Sequence, residues 1–134
     1  MKIEEVEGIG AVYAGKLGEA GVGTTDDLLE RGAKPSGRKS LEDATGISGK
    51  LILEWVNHVD LMRIKGVGSE YSDLLEAAGV DSPAELAQRN AANLAETIQE
   101  VVAARPSIVR RAPSQTEIEG WIAQAKDLPK VVEH

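Results

Sequence analysis

Val6-Glu7-Gly8-Ile9-Gly10-Ala11-Val12-Tyr13-Ala14 and Ile64-Lys65-Gly66-Val67-Gly68-Ser69-Glu70-Tyr71-Ser72 are one pattern written twice, at an offset of 58 residues. Each reads apolar-x-Gly-apolar-Gly with a tyrosine three positions after the second glycine. Working outward, the correspondence runs through Leu17/Leu75, Ala20-Gly21-Val22/Ala78-Gly79-Val80 and Leu28/Leu86. The offset then drifts to 66, where Ile47-Ser48 to Ile52 and Trp55-Val56 face Pro113-Ser114 to Ile118 and Trp121-Ile122. The second copy holds extra residues around Val101 to Arg111. Self-similarity of this length is the signature of a duplicated structural unit. It divides the chain into residues 1–63 and 64–134, expected to share a core as one compact unit.

Both copies read as helices. Tyr13, Leu17 and Ala20 recur at three- and four-residue intervals, which puts them on one helical face. Gly21 and Gly79 stand where a left-handed C-terminal stop is wanted. Ser82-Pro83-Ala84-Glu85 and Ser114-Gln115-Thr116-Glu117 are capping boxes, the first with proline at the opening helical position. Thr25 precedes Asp26 and Asp27, whose charges suit a helix N-terminus. Ser48 is the expected cap of a helix over residues 49–63, carrying Leu51, Ile52, Trp55, Val59 and Met62. That helix runs straight into the second glycine turn and leaves no flexible linker between the copies. Strand signals are absent, and the loop-like stretches are Gly32 to Gly37 and Arg105 to Pro113. The expected fold is all-α, with about eight to ten short helices.

Composition narrows the function classes. The 134 residues contain no Cys and no Phe, which excludes a disulfide framework, a zinc ribbon and a thiol nucleophile. Only 3% are aromatic, so the core must be built from Leu, Ile, Val and Ala, with Trp55 and Trp121 as paired anchors and Tyr13 and Tyr71 packing beside them. No apolar run approaches a membrane span and no basic leader precedes one, so a cytoplasmic location is expected. The formal charge is −7, shared as 8 basic against 11 acidic groups in residues 1–63 and 7 against 11 in residues 64–134. Such a balance speaks against a broad nucleic-acid-binding surface.

The segments Val6-Glu7-Gly8-Ile9-Gly10 and Ile64-Lys65-Gly66-Val67-Gly68, each followed by a short helix ending Ala-Gly-Val, resemble the helix-hairpin-helix motif. Gly37-Arg38-Lys39, Leu51-Ile52-Leu53-Glu54-Trp55-Val56 and Met62-Arg63-Ile64-Lys65-Gly66-Val67-Gly68 extend the likeness over nearly the whole chain. They resemble a tandem helix-hairpin-helix family known only as a domain of unknown function. The resemblance implies two pseudo-symmetric repeats in bundles like those of sterile-alpha-motif domains. The physical logic stands beside the name. Paired glycines permit a tight reversal with positive φ and leave backbone amides unshielded. The next helix begins at once, so its first N–H groups lack intrahelical partners. Together these make an anion site, which in helix-hairpin-helix proteins holds a DNA phosphate. The same glycines also serve as plain corners between packed helices.

The expected phosphate-binding set is Gly8, Gly10, Ala11 and Lys16 in the first copy and Arg63, Lys65, Gly66, Gly68 and Ser69 in the second, with Lys39 assisting. Lys34-Pro35-Ser36-Gly37-Arg38-Lys39 reads as a loop with three cations, and Arg110-Arg111 lies in the other loop. With so few cations, any DNA affinity is expected to be weak, with a salt slope of roughly −0.9 per neutralised phosphate. Gly10 to Lys16 mimics part of a phosphate-binding P-loop, but Leu17 stands where Ser or Thr belongs and no strand precedes it. Gly8-x-Gly10 lacks the third glycine of a dinucleotide fingerprint. The histidines are His58, expected at the surface and two residues from Asp60, and His134, and no set has metal-ligand spacing. Neither catalytic residue, metal nor cofactor is expected. The sequence favours sequence-independent DNA binding, with an acidic protein-interaction module as the competing expectation; the oligomeric state is not legible.

Overall fold

The computed structural model describes every residue from Met1 to His134. A 3-10 turn at Ile3–Glu5 is followed by α1 (Ala11–Glu19), α2 (Thr25–Gly32), α3 (Pro35–Thr45), α4 (Gly49–Leu61), α5 (Ser69–Ala77), α6 (Pro83–Ala87), α7 (Ala91–Ala104) and α8 (Gln115–Asp127). Helices α2, α4, α6, α7 and α8 begin at Thr, Ser or Asn caps whose side chains accept a first-turn N–H. There is no strand, only an isolated antiparallel bridge between Lys2 and Thr24. The fold is all-α.

Thr24 rather than Thr25 caps α2: its hydroxyl accepts the Asp27 N–H at 3.1 Å, and the Asp27 carboxylate accepts the Thr24 N–H at 3.2 Å. The Ser48 hydroxyl accepts the Leu51 N–H at the start of α4 (3.2 Å). Ser114 and Glu117 form the reciprocal box opening α8, at 3.1 Å both ways. At α6 only half of the expected box closes. The Ser82 hydroxyl accepts the Glu85 N–H, while the Glu85 carboxylate turns to the Asp81 N–H. The two Ala-Gly-Val stops share one geometry: the Val22 and Val80 N–H groups donate to Leu17 and Leu75 carbonyls at 2.8 Å, with Gly21 and Gly79 at φ +90° and +92°.

The chain divides into two compact units, Met1–Asp60 with Val131–His134, and Leu61–Lys130. This boundary falls a little before the one read from the sequence and carries the last four residues into the first unit. In the first unit α1 and α2 pack on α3. Its core contains Ile3, Val6, Ile9, Leu17, Leu28, Leu41, Ile52, Trp55 and Val132. In the second unit α6 and α7 pack on α8 and α5 packs on α7. Leu61, Ile64, Val67, Leu74, Leu86, Ile98, Ile118 and Trp121 lie in that core. Each tryptophan is therefore an anchor of its own unit's cluster. Tyr13 meets Trp55 edge-on at 5.1 Å between ring centroids, and Tyr71 meets Trp121 at 5.2 Å, an arrangement that adds about 0.5–1.5 kcal/mol to simple burial.

Two sequence expectations are overturned here. The stretch from Gly32 to Gly37 is not a loop: Ala33 and Lys34 are all that separates α2 from α3, because Pro35 with its preset φ opens α3 at once. Consequently Arg38 is no loop cation. It is 7% exposed and donates to the carbonyls of Gly32 (2.8 Å), Ala33 (3.3 Å) and Glu133 (2.8 Å). His58 is no surface histidine either. Every residue from Trp55 to Leu61 is buried, His58 at 5% and Asp60 at 4% exposure, so this part of α4 has no solvent face.

Candidate functional site

The glycine turns are built the same way in both units. In the first, the Val6 N–H donates to the Ile3 carbonyl (3.2 Å) and the Ile9 N–H to the Val6 carbonyl (3.0 Å). In the second, Ile64 donates to Leu61 (3.1 Å) and Val67 to Ile64 (3.0 Å). Ile9 and Val67, between the glycines, are buried and pin each turn to its core. Only the first glycine of each pair is left-handed, Gly8 at φ +89° and Gly66 at φ +96°. A Cβ at Gly8 would lie 3.4 Å from Trp55 Nε1, and one at Gly66 would lie 3.0 Å from Trp121 Nε1. The backbone thus demands the first glycine in both turns, and at Gly66 the Trp121 indole crowds any side chain as well.

The second glycine answers to neither demand. Gly10 (φ −88°, ψ −174°) and Gly68 (φ −100°, ψ −162°) are extended, so the positive φ of each reversal is carried by the first glycine alone. An added Cβ would meet nothing within 4 Å at either position. Each is the N-cap of the following helix, α1 or α5, and neither helix start has a side-chain cap. Gly8, Gly10, Ala11 and Val12 are exposed, Val12 by 72%, and α1 has no acidic residue in its first turn.

At the second turn, α5 carries Glu70 in its first turn. Three donors converge on its carboxylate: the Arg110 backbone N–H (3.1 Å), Nε (3.0 Å) and Nη2 (2.7 Å). Its neighbour Arg111 grips Glu117 through Nη1 (2.8 Å) and Nη2 (3.0 Å), and the Tyr71 hydroxyl donates to the Arg111 carbonyl (2.9 Å). The hydrogen bonds from Arg110 hold the Glu70 carboxyl below its ordinary pKa; Arg111 and Ser114 take that of Glu117 down to about 2. The segment from Arg105 to Ser114 remains non-helical and delivers both arginines. Sequence reading noted the pair without placing it at the turn; the extra residues in copy two were the available signal.

The remaining expected site residues divide by unit. Lys16 is exposed in the last turn of α1, about 8 Å along the axis from the helix start. Lys39, on α3, bonds Asp43 at 3.0 Å and pairs with Glu42 at 3.7 Å, which raises its pKa through the Asp43 hydrogen bond first. Arg63 donates to the Pro129 carbonyl (2.9 Å). The Lys65 backbone is held by Gln124, whose amide accepts the Lys65 N–H (2.9 Å) and donates to its carbonyl (3.1 Å). The Lys65 side chain is exposed, and Ser69 is half-buried at the start of α5. Gly8, Gly10 and Ala11 come together at one helix start, as do Gly66, Gly68 and Ser69 at the other.

No group of three or more His, Asp or Glu residues converges as a metal-ion site would require, and no helix is long and apolar enough to cross a membrane. Comparison with known proteins places residues 7–128 in the family described as Domain of unknown function (DUF4332), and the chain belongs to it. No curated protein and no solved structure matches the chain.

Proposed function

We propose that this member of an uncharacterised family is a non-catalytic, sequence-independent DNA-binding module made of two pseudo-symmetric helix-hairpin-helix repeats. The observation that carries the reading is the second glycine of each turn. Gly10 and Gly68 are glycine where neither dihedral angle nor neighbouring atom requires it. An N-cap without a side chain offers the first-turn amides of α1 and α5 no capping oxygen of its own. It also lets the backbone approach an anion closely. DNA phosphates would be held by the amides around Gly8, Gly10 and Ala11 and around Gly66, Gly68 and Ser69. Lys16 and Lys65 add charge, while Arg63 and Lys39 contribute less because each already holds an acceptor. Such contacts position a duplex without reading its bases.

The discriminating experiment uses Gly10→Asp with Gly68→Asp. Aspartate is a strong N-cap and suits the helix dipole, so thermal stability should hold or rise by up to about 1 kcal/mol. The same carboxylates would cover the amides and repel phosphate, and duplex affinity at ~50 mM salt should fall at least about tenfold. Wild-type affinity in the double variant would remove the glycine turns from the mechanism. The competing reading is an acidic module that meets a basic protein partner. What favours it is the charge of −7 together with the pairing of Lys39, Arg110 and Arg111 to carboxylates. It requires no duplex binding by the wild type even at ~50 mM salt, where phosphate contacts are strongest.

A further inference from the structure

Arg110 and Arg111 sit in the insert that distinguishes the second copy from the first, and each closes on a carboxylate in the first turn of a helix, Glu70 of α5 and Glu117 of α8. The Glu70 cradle is made like an anion site, with one backbone N–H and two guanidinium N–H groups converging on a planar oxyanion. Glu117 rests in a second one, built from the Arg111 fork and the Ser114 N–H at 3.1 Å. We propose that the Arg110 cradle is a phosphodiester-binding site of the second glycine turn, held shut by Glu70 as an internal stand-in for a DNA backbone phosphate. The inference rests on the DNA-binding reading above and deepens it.

Four observations support the exchange. The Arg110 side chain is 92% exposed even while paired, so a ligand reaches it without any rearrangement of the core. The Arg110 Nε and Nη2 both reach Glu70 Oε2 while the backbone N–H takes Oε1, and two anionic oxygens of a phosphodiester can accept from the same three donors. A surface ion pair is weak and screened by salt, whereas a duplex phosphate adds the release of condensed counterions. Finally, the first unit carries Val12 where the second carries Glu70, and α1 has no acid in its first turn. The two turns are thereby made unequal, the first open and the second latched.

The latch gives substitutions of opposite sign at one contact. Glu70→Gln removes the competing charge and should tighten duplex binding about fivefold at ~50 mM salt. Arg110→Ala should weaken it by a similar factor and lower the magnitude of the salt slope by about 1. Both are measured by fluorescence anisotropy with a labelled duplex on the full chain, with thermal melts showing that each variant is folded. Inorganic phosphate is the competitor arm: displacement of the duplex only at concentrations that reproduce the effect of equal ionic strength identifies the DNA backbone, rather than the free anion, as the ligand. Duplex binding by the wild type that Glu70→Gln does not strengthen and Arg110→Ala does not weaken would overturn this inference and leave the DNA reading standing. Absence of binding by wild type and Glu70→Gln alike overturns both.

Discussion

Alanine at Gly66 would have to hold φ near +96° with its Cβ 3.0 Å from Trp121 Nε1. A left-handed backbone costs an L-residue about 1–2 kcal/mol, and displacement of a packed indole adds to it. Gly66→Ala should therefore lower stability by about 2 kcal/mol or more, measured by urea unfolding. Gly8→Ala, at φ +89° with 3.4 Å of room, should cost less than Gly66→Ala but more than Gly10→Ala, whose site is extended and open. That ranking separates two glycines that sequence alone treats as one motif. The spacing marked both as turn residues; the separation came from the tryptophan packed against the first, which spacing does not reveal.

The first turn of α8 ties local capping to pH. The Glu117 carboxyl stands at about 2 in the fold against an ordinary 4.5, first because of Arg111 and then because of the Ser114 N–H. A carboxyl with a depressed folded pKa contributes stability that is fully present above its unfolded value and lost as pH falls through the folded one. Stability from this group should accordingly decline from about pH 4.5 toward pH 2, with Glu70 and Asp27 shifted in the same sense. In Glu117→Gln the drop in melting temperature between pH 5 and pH 3, followed by circular dichroism, should be smaller than in the wild type. The capping boxes behind such predictions were legible because their partners lie within three residues. The arginine that completes the Glu70 site comes from 40 residues away and was not.

For the whole molecule the decisive contact is Arg38, which fastens Glu133 of the C-terminal segment to the first unit across 95 residues of chain. The Glu133 N–H donates in turn to the Ala33 carbonyl (2.8 Å), Val132 is buried, and His134 Nε2 lies 3.0 Å from Asn57 Oδ1. Burial alone pushes the Arg38 pKa down, and the carbonyls around it satisfy its donors. Arg38→Leu leaves those carbonyls without their charged donor and should destabilise the protein by about 2–3 kcal/mol. Hydrogen exchange should show protection lost in residues 1–60 and 131–134 before residues 61–130, reporting the division into two units.

By itself the sequence determined the helical class, the principal caps and stops, the two glycine turns and the tryptophans as core anchors. The class, caps and stops rest on apolar periodicity or on hydrogen bonds closed within a few residues, so a local window contains their cause. The paired turns and tryptophans show in the repetition of one pattern along the chain. Tertiary structure decided which charges are available. It buried Arg38 and His58, occupied Lys39, and brought Arg110 to the second glycine turn. Those outcomes depend on which distant groups share a neighbourhood after folding, because a cation's reach and solvation are set by packing rather than by its position in the chain. The charge of −7 is therefore a count of groups, while the capacity to bind an anion lies in the few donors that the fold leaves facing water.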